Sequence, residues 1–235
     1  VGSEMCIRDS LVREHICRGK YKDQIRPVLV NSWEACYFDF NGEAIVNLAE
    51  QAAALGVELL VMDDGWFGTR DDDNSSLGDW IVNEDKLGCS LTELTKRVHD
   101  KGVQFGIWIE PEMANTQSEL YEKHPDWVIK APERDLVLGR GGTQVVLDLG
   151  NPQVQDFVFN VVDELMTNYP EIDYIKWDAN MSILNHGSNY LGKDEQSHLY
   201  IAYHRGLENV CKRIRMKYPE LTIQACASGG GRVNY

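Results

Sequence analysis

YIKWDAN, residues 174–180, begins like a buried strand and ends in polar groups. Side chains alternate between the two faces of a strand, so Lys176 and Asp178 share one side of it. A lysine at that spacing favours the charged form of the carboxylate, the form that attacks as a nucleophile. A structural ion pair closing a loop would show the same K-x-D pattern. Other strands ending in the same way would favour the functional reading.

Working outward, strand and helix alternate. RPVLVNSW (26–33) is a short β-branched run, and EAIVNLAEQAAALG (43–56) has helical apolar spacing with glycine at its C-terminus. ELLVMDDGW (58–66) is the next strand, and SLTELTKRVHDKG (90–102) the next helix, with Ser90 as N-cap and Glu93 placed for a capping box. VQFGIWIEPEM (103–113) is read as a third strand, and residues 151–170 as a helix with Pro152 in its first turn. After YIKWDAN, a long polar helix (197–219) precedes a fifth strand, LTIQACASGGG (221–231).

This alternation implies a parallel sheet with right-handed crossovers, either an open doubly wound sheet or a (β/α)₈ barrel. The strand ends separate the two. Asn31 and Trp33, then Asp63 and Asp64, then Trp108, Glu110 and Glu112, then Lys176 and Asp178, then Cys226 and Ser228 lie at five successive tips. Barrels gather functional groups from several strand ends, whereas open sheets concentrate them at one switch point. The expected fold is therefore α/β, a (β/α)₈ TIM barrel, incomplete here. About five βα units fall within residues 26–235, and the sheet would have unpaired edges on both sides. Residues 11–25 read as a lead-in. VGSEMCIRDS (1–10) has neither an apolar core nor periodicity and reads as a processing or cloning scar, while GGGRVNY (229–235) should lead into more structure.

Composition narrows the partners. The 235 residues are 43% hydrophobic and 26% charged, with no apolar run long enough to cross a membrane. A net charge of −14 repels phosphate backbones and anionic lipid, so neither nucleic acid nor a membrane is expected as a partner. The six cysteines are scattered without CxxC pairs, the usage of free thiols in a reducing compartment.

DDGWFG (63–68) sets adjacent acids at a strand end, where carboxylates can accept hydrogen bonds from sugar hydroxyls beside an aromatic face. A turn-forming acidic pair is the plainer reading. RDDDN (70–74) reads as a solvated loop. Trp33 and Trp108 are either core aromatics or walls that stack on a sugar.

Taken together, RPVLVNSWEACYFDF, LLVMDDGWFGTRDDD, LGDWIVNEDKL, GIWIEPEMAN, HPDWVI, GRGGTQVVLDLGNPQV, YIKWDANMS and CASGGGR occur in an order that resembles the barrel of the α-galactosidases of glycoside hydrolase family 36. The resemblance implies that Asp178 is the nucleophile and that Lys176 contacts galactose hydroxyls beside it. It implies that Asp63 and Asp64 accept from the 4- and 6-hydroxyls, that Trp33, Trp108 and Arg140 line the pocket, and that Cys226 and Gly229 lie near the 2-hydroxyl. It further implies a retaining mechanism on α-galactoside oligosaccharides of the raffinose or melibiose type, no metal or other cofactor, a homo-oligomeric parent protein and a cytoplasmic, bacterial setting. The family's acid/base aspartate belongs to an S-D-x-x-D motif expected beyond Tyr235, so the polypeptide as given is expected to be inactive or nearly so. Glu110 and Glu112 are expected to support the rim rather than act as the acid.

Three other readings stay open. One is another activity on the same scaffold, a raffinose-synthase-type galactosyltransferase or an α-N-acetylgalactosaminidase. The second is a metal-dependent phosphodiesterase with Asp63, Asp64, Glu110 and Asp178 as ligands. The third is a non-catalytic sugar-binding fragment.

Overall fold

The computed structural model describes residues 7, 9–16 and 19–231. Most of the segment read as a scar, the final four residues, Cys6 and Cys17 lie outside the described residues; residues 7, 9 and 10 are helical. Seven strands are described: β1 (Leu29–Asn31), β2 (Leu59–Met62), β3 (Gln104–Ile109), β4 (Met113–Asn115), β5 (Gln144–Val146), β6 (Tyr174–Trp177) and β7 (Thr222–Ala225). Five form one parallel sheet in the order β1-β2-β3-β6-β7, and β4 and β5 form a separate antiparallel ribbon. The parallel strands stand side by side in chain order, with none of the reversal that creates a switch point in a doubly wound sheet. The result is a parallel half-barrel with helical crossovers.

Strand chemistry follows position in the sheet. Central β2 and β3 are buried along almost their whole length, as continuous apolar runs require, while β1 and β7 at the edges are partly exposed. In β6 burial alternates: Ile175 and Trp177 are buried, and Tyr174 and Lys176 are partly open on the other face. Lys176 is set opposite Trp108 of β3 in the ladder.

Four longer helices cover the sheet: α1 (Gly42–Ala54), α2 (Leu91–His99), α3 (Pro152–Asn168) and α4 (Leu199–Lys217). Each of the first three begins where a side chain satisfies an orphan backbone donor. Asn41 accepts from the Ala44 N–H, Ser90 from Glu93 and Asn151 from Gln153. The buried stripe of α3, Val154, Val158, Val161, Val162 and Leu165, has the 3–4 residue spacing of a core-facing helix.

Two boundaries differ from the sequence reading. VQFGIWIEPEM is not one strand, because Pro111 lacks the N–H a ladder needs; the chain turns there and resumes as β4. RPVLVNSW pairs only over Leu29–Asn31, since Trp33 already starts a helical turn, Trp33–Cys36.

Helix α4 approaches the loop after β5 so closely that a Cβ on Gly206 would lie 1.9 Å from the Leu149 carbonyl oxygen. Gly206→Ala must therefore push the helix outward. The expected loss is about 1–3 kcal/mol of stability, read as a lower urea midpoint; an unchanged midpoint would contradict the packing.

Candidate active site

The residues singled out from the sequence line one cavity of about 290 Å³ at the C-terminal strand ends. Trp33 follows β1, Asp63 and Asp64 follow β2, Trp108 belongs to β3, Arg140 sits in the turn before β5, Lys176 and Asp178 end β6, and Cys226 and Gly229 follow β7. Glu34, Asn180 and Ser228 complete the lining. A larger cavity of about 490 Å³ opens at the opposite ends of the strands, near Leu29, Leu59, Tyr174 and Thr222, away from these groups.

Asp178 is buried, and burial alone would raise its carboxyl. Donors outweigh that cost: the Asn180 amide, the Cys226 thiol, the Trp108 indole at 3.1 Å and the Ala179 N–H at 2.9 Å hold it below the usual carboxylate range. Cys226 can donate because burial, against the Gly229 N–H and reinforced by Asp178, pushes its thiol up and keeps its proton on. The outcome is a buried, ionised carboxylate lining the cavity, the condition for a nucleophile.

The other two aspartates are held differently. Asp63 Oδ2 accepts from Lys176 Nζ at 2.7 Å and from Asn31 Nδ2 at 2.6 Å, which ties the tips of β1, β2 and β6 together across β3. Asp64 is clamped by Arg70, Nε to Oδ1 at 2.6 Å and Nη2 to Oδ2 at 2.7 Å. Burial raises the Asp64 carboxyl, and this two-point, charge-assisted pair opposes the rise. Arg140 stands at the rim in a turn with backbone φ of 31°, followed by Gly141 and Gly142 at 70° and 80°; its guanidinium lies 3.8 Å from Asp73. The ribbon secures this turn, Gly139 donating to the Gln144 carbonyl.

Two expectations are corrected here. Lys176 shares a face with Asp178, yet its ion pair is with Asp63, and hydrogen-bond donors keep Asp178 ionised. RDDDN is not uniformly solvated: Arg70 is fully buried, bonded also to Asn115 Oδ1 and the Ser75 carbonyl, whereas Asp71 is exposed and pairs with Lys86. Arg70, Asn180 and Glu34 were missed as site residues. Only Asn180 carried a signal, its place in the same strand tip as Asp178.

The rim glutamates serve unlike ends. Glu112 accepts from the Trp177 indole at 2.8 Å and from the Tyr203 hydroxyl, which braces β6 and α4. Glu110 is fully buried and accepts the Asn180 N–H. Among the described residues no cluster of three or more His, Cys, Asp or Glu side chains is arranged to hold a metal ion. Cys36, Cys89 and Cys226 are free thiols, and no described helix is long and apolar enough to cross a membrane.

The profile of the melibiase family matches residues 4–235. The chain is 49% identical over 221 residues to the bifunctional alpha-galactosidase/sucrose kinase AgaSK of Mediterraneibacter gnavus, covering 94% of this chain and 22% of that protein. It is 46% identical over 222 residues to the alpha-galactosidase AgaA of Geobacillus stearothermophilus, covering 94% and 30%. The crystal structure of AgaA superposes with a TM-score of 0.89 over 95% of this chain and 31% of that one. AgaA variants solved with raffinose and with stachyose, each 45% identical, give the same score and coverage. The chain thus spans less than a third of the length of these relatives.

Proposed function

The chain belongs to the melibiase family, glycoside hydrolase family 36, and from that premise we propose that it supplies the nucleophile and the galactose-binding groups of a retaining α-galactosidase. Raffinose-type oligosaccharides are the proposed substrates, as in the AgaA complexes, and the half-barrel is proposed as part of a (β/α)₈ barrel. The observation that carries the reading is Asp178, a buried carboxylate kept ionised by several donors inside a cavity at the lower end of the size range of ligand pockets.

In the proposed reaction Asp178 attacks the anomeric carbon as the bond to the leaving-group oxygen breaks, forming a galactosyl ester. The leaving oxygen takes a proton from a general acid, and water, deprotonated by the same residue, then releases galactose with its configuration retained. The family resemblance assigns that acid to an aspartate in an S-D-x-x-D motif. Glu110 does not line the cavity and is not given this role. Asp63, with Lys176 beside it, offers an acceptor and a donor to adjacent hydroxyls, and Trp33 and Trp108 offer apolar walls to the C–H faces of the ring.

Proton NMR of the full-length protein acting on an aryl α-galactoside tests this reading. The α-anomer of galactose should appear first and then mutarotate. Initial release of the β-anomer, or no release, would contradict it.

A further inference from the structure

Glu110 follows directly on β3, and its surroundings are unusual for a carboxylate. Its Oε1 accepts the Asn180 N–H, while its buried Oε2 meets no hydrogen-bond partner among the described residues. The charged groups that act on it most strongly are Asp178 after β6, Asp64 after β2 and Arg140 in the turn before β5. Arg140 lies against Asp73 and Asp64 is held by Arg70, so none of these cations is committed to Glu110. A buried charged carboxylate with one bare oxygen, near an ionised Asp178, is costly, and the neutral acid, although its O–H also meets no acceptor among the described residues, costs less. Burial, against the Asn180 N–H and reinforced by Asp178 and Asp64, pushes the group up to about 8.

Asn180 links this acid to the nucleophile. Its side-chain oxygen accepts from the Ser228 N–H at 3.0 Å and the Ser228 hydroxyl at 2.8 Å, which orients its NH₂ to donate to Asp178. Glu110 fixes the backbone of the same residue. We propose that Glu110 is a positioning residue for Asp178: as an uncharged carboxylic acid it holds the Asn180 N–H and keeps the Asn180 carboxamide aimed at the nucleophile. This rests on the reading of Asp178 as nucleophile. Deprotonation would add a second buried charge beside Asp178, so the same contact makes the site sensitive to alkaline pH.

Two variants of the full-length protein test it. Glu110→Ala frees the Asn180 N–H and should lower kcat about 10- to 100-fold with little change in KM. Glu110→Gln keeps an acceptor carbonyl and cannot ionise, so it should recover to within about tenfold of wild type. It should also lack the part of the alkaline limb of kcat/KM, near pH 8, that Glu110 contributes; any limb from the general acid is common to both proteins and cancels in the comparison. Infrared spectroscopy reads the proton independently of turnover. Near neutral pH the wild type should show a protonated-carboxyl band that Glu110→Gln lacks. Wild-type kcat in Glu110→Ala, an identical alkaline limb in Glu110→Gln, or no difference band would overturn the assignment. Absence of turnover in the wild type would sink the nucleophile reading alone, and the band would still uphold or overturn the neutral acid.

Discussion

Asp178→Asn is expected to lower kcat/KM of the full-length protein on an aryl α-galactoside by at least about 10⁴-fold, the scale on which removal of a covalent nucleophile acts. An amide cannot form the galactosyl ester, yet it has the shape of the carboxylate, and its single oxygen can keep one of two contacts, the Ala179 N–H made at Oδ1 or the Trp108 indole made at Oδ2. The fold and the galactose-binding groups should therefore survive. Galactose affinity measured by calorimetry should change less than about tenfold, because Asp63 and Lys176 are untouched. A variant retaining more than about 1% of wild-type activity would contradict the role.

Arg70→Leu is expected to destabilise the protein by about 3–5 kcal/mol, because it leaves Asp64 as a buried charge without its partner. The side chain is fully buried and makes four hydrogen bonds, two to Asp64, one to Asn115 and one to the Ser75 carbonyl, and its Nη2 lies 3.7 Å from Asp73 Oδ1. Its guanidinium also lies 5.6 Å from the centre of the Phe38 ring and 5.7 Å from that of Phe67. Arg70→Lys should rescue little, since an ammonium cannot reproduce the two-point fork. Adding Asp64→Asn to Arg70→Leu should recover part of the loss by removing the unpaired charge. Urea unfolding decides it. A loss under about 1 kcal/mol for Arg70→Leu would show that the pair contributes little.

The sheet and the end that carries the candidate site were legible because each strand leaves a local trace, an apolar run ending in polar or aromatic groups. Asp63, Trp108 and Asp178 could be placed at one end from strand period and direction alone. What could not be placed depends on contacts between segments distant in the chain. Lys176 lies on the same face as Asp178, but its partner Asp63 is two strands away, and nothing along one dimension selects between them. Arg70 sits in an acidic, polar run that looks solvated, and only the folded chain sets its fork against Asp64 and Asn115. The β4–β5 ribbon was missed because each strand is three residues long, too short to show a period. Pro111 and the glycines after Arg140 were the available signs that the chain turns there.

The most direct test of the central claim is to expose the full-length protein to an activated fluorogalactoside that forms the glycosyl-enzyme faster than water removes it, then to sequence the labelled peptide by mass spectrometry. The account predicts one galactosyl adduct, on Asp178. An adduct on Asp63, Asp64 or Glu110, or none while the substrate is still being hydrolysed, would contradict it.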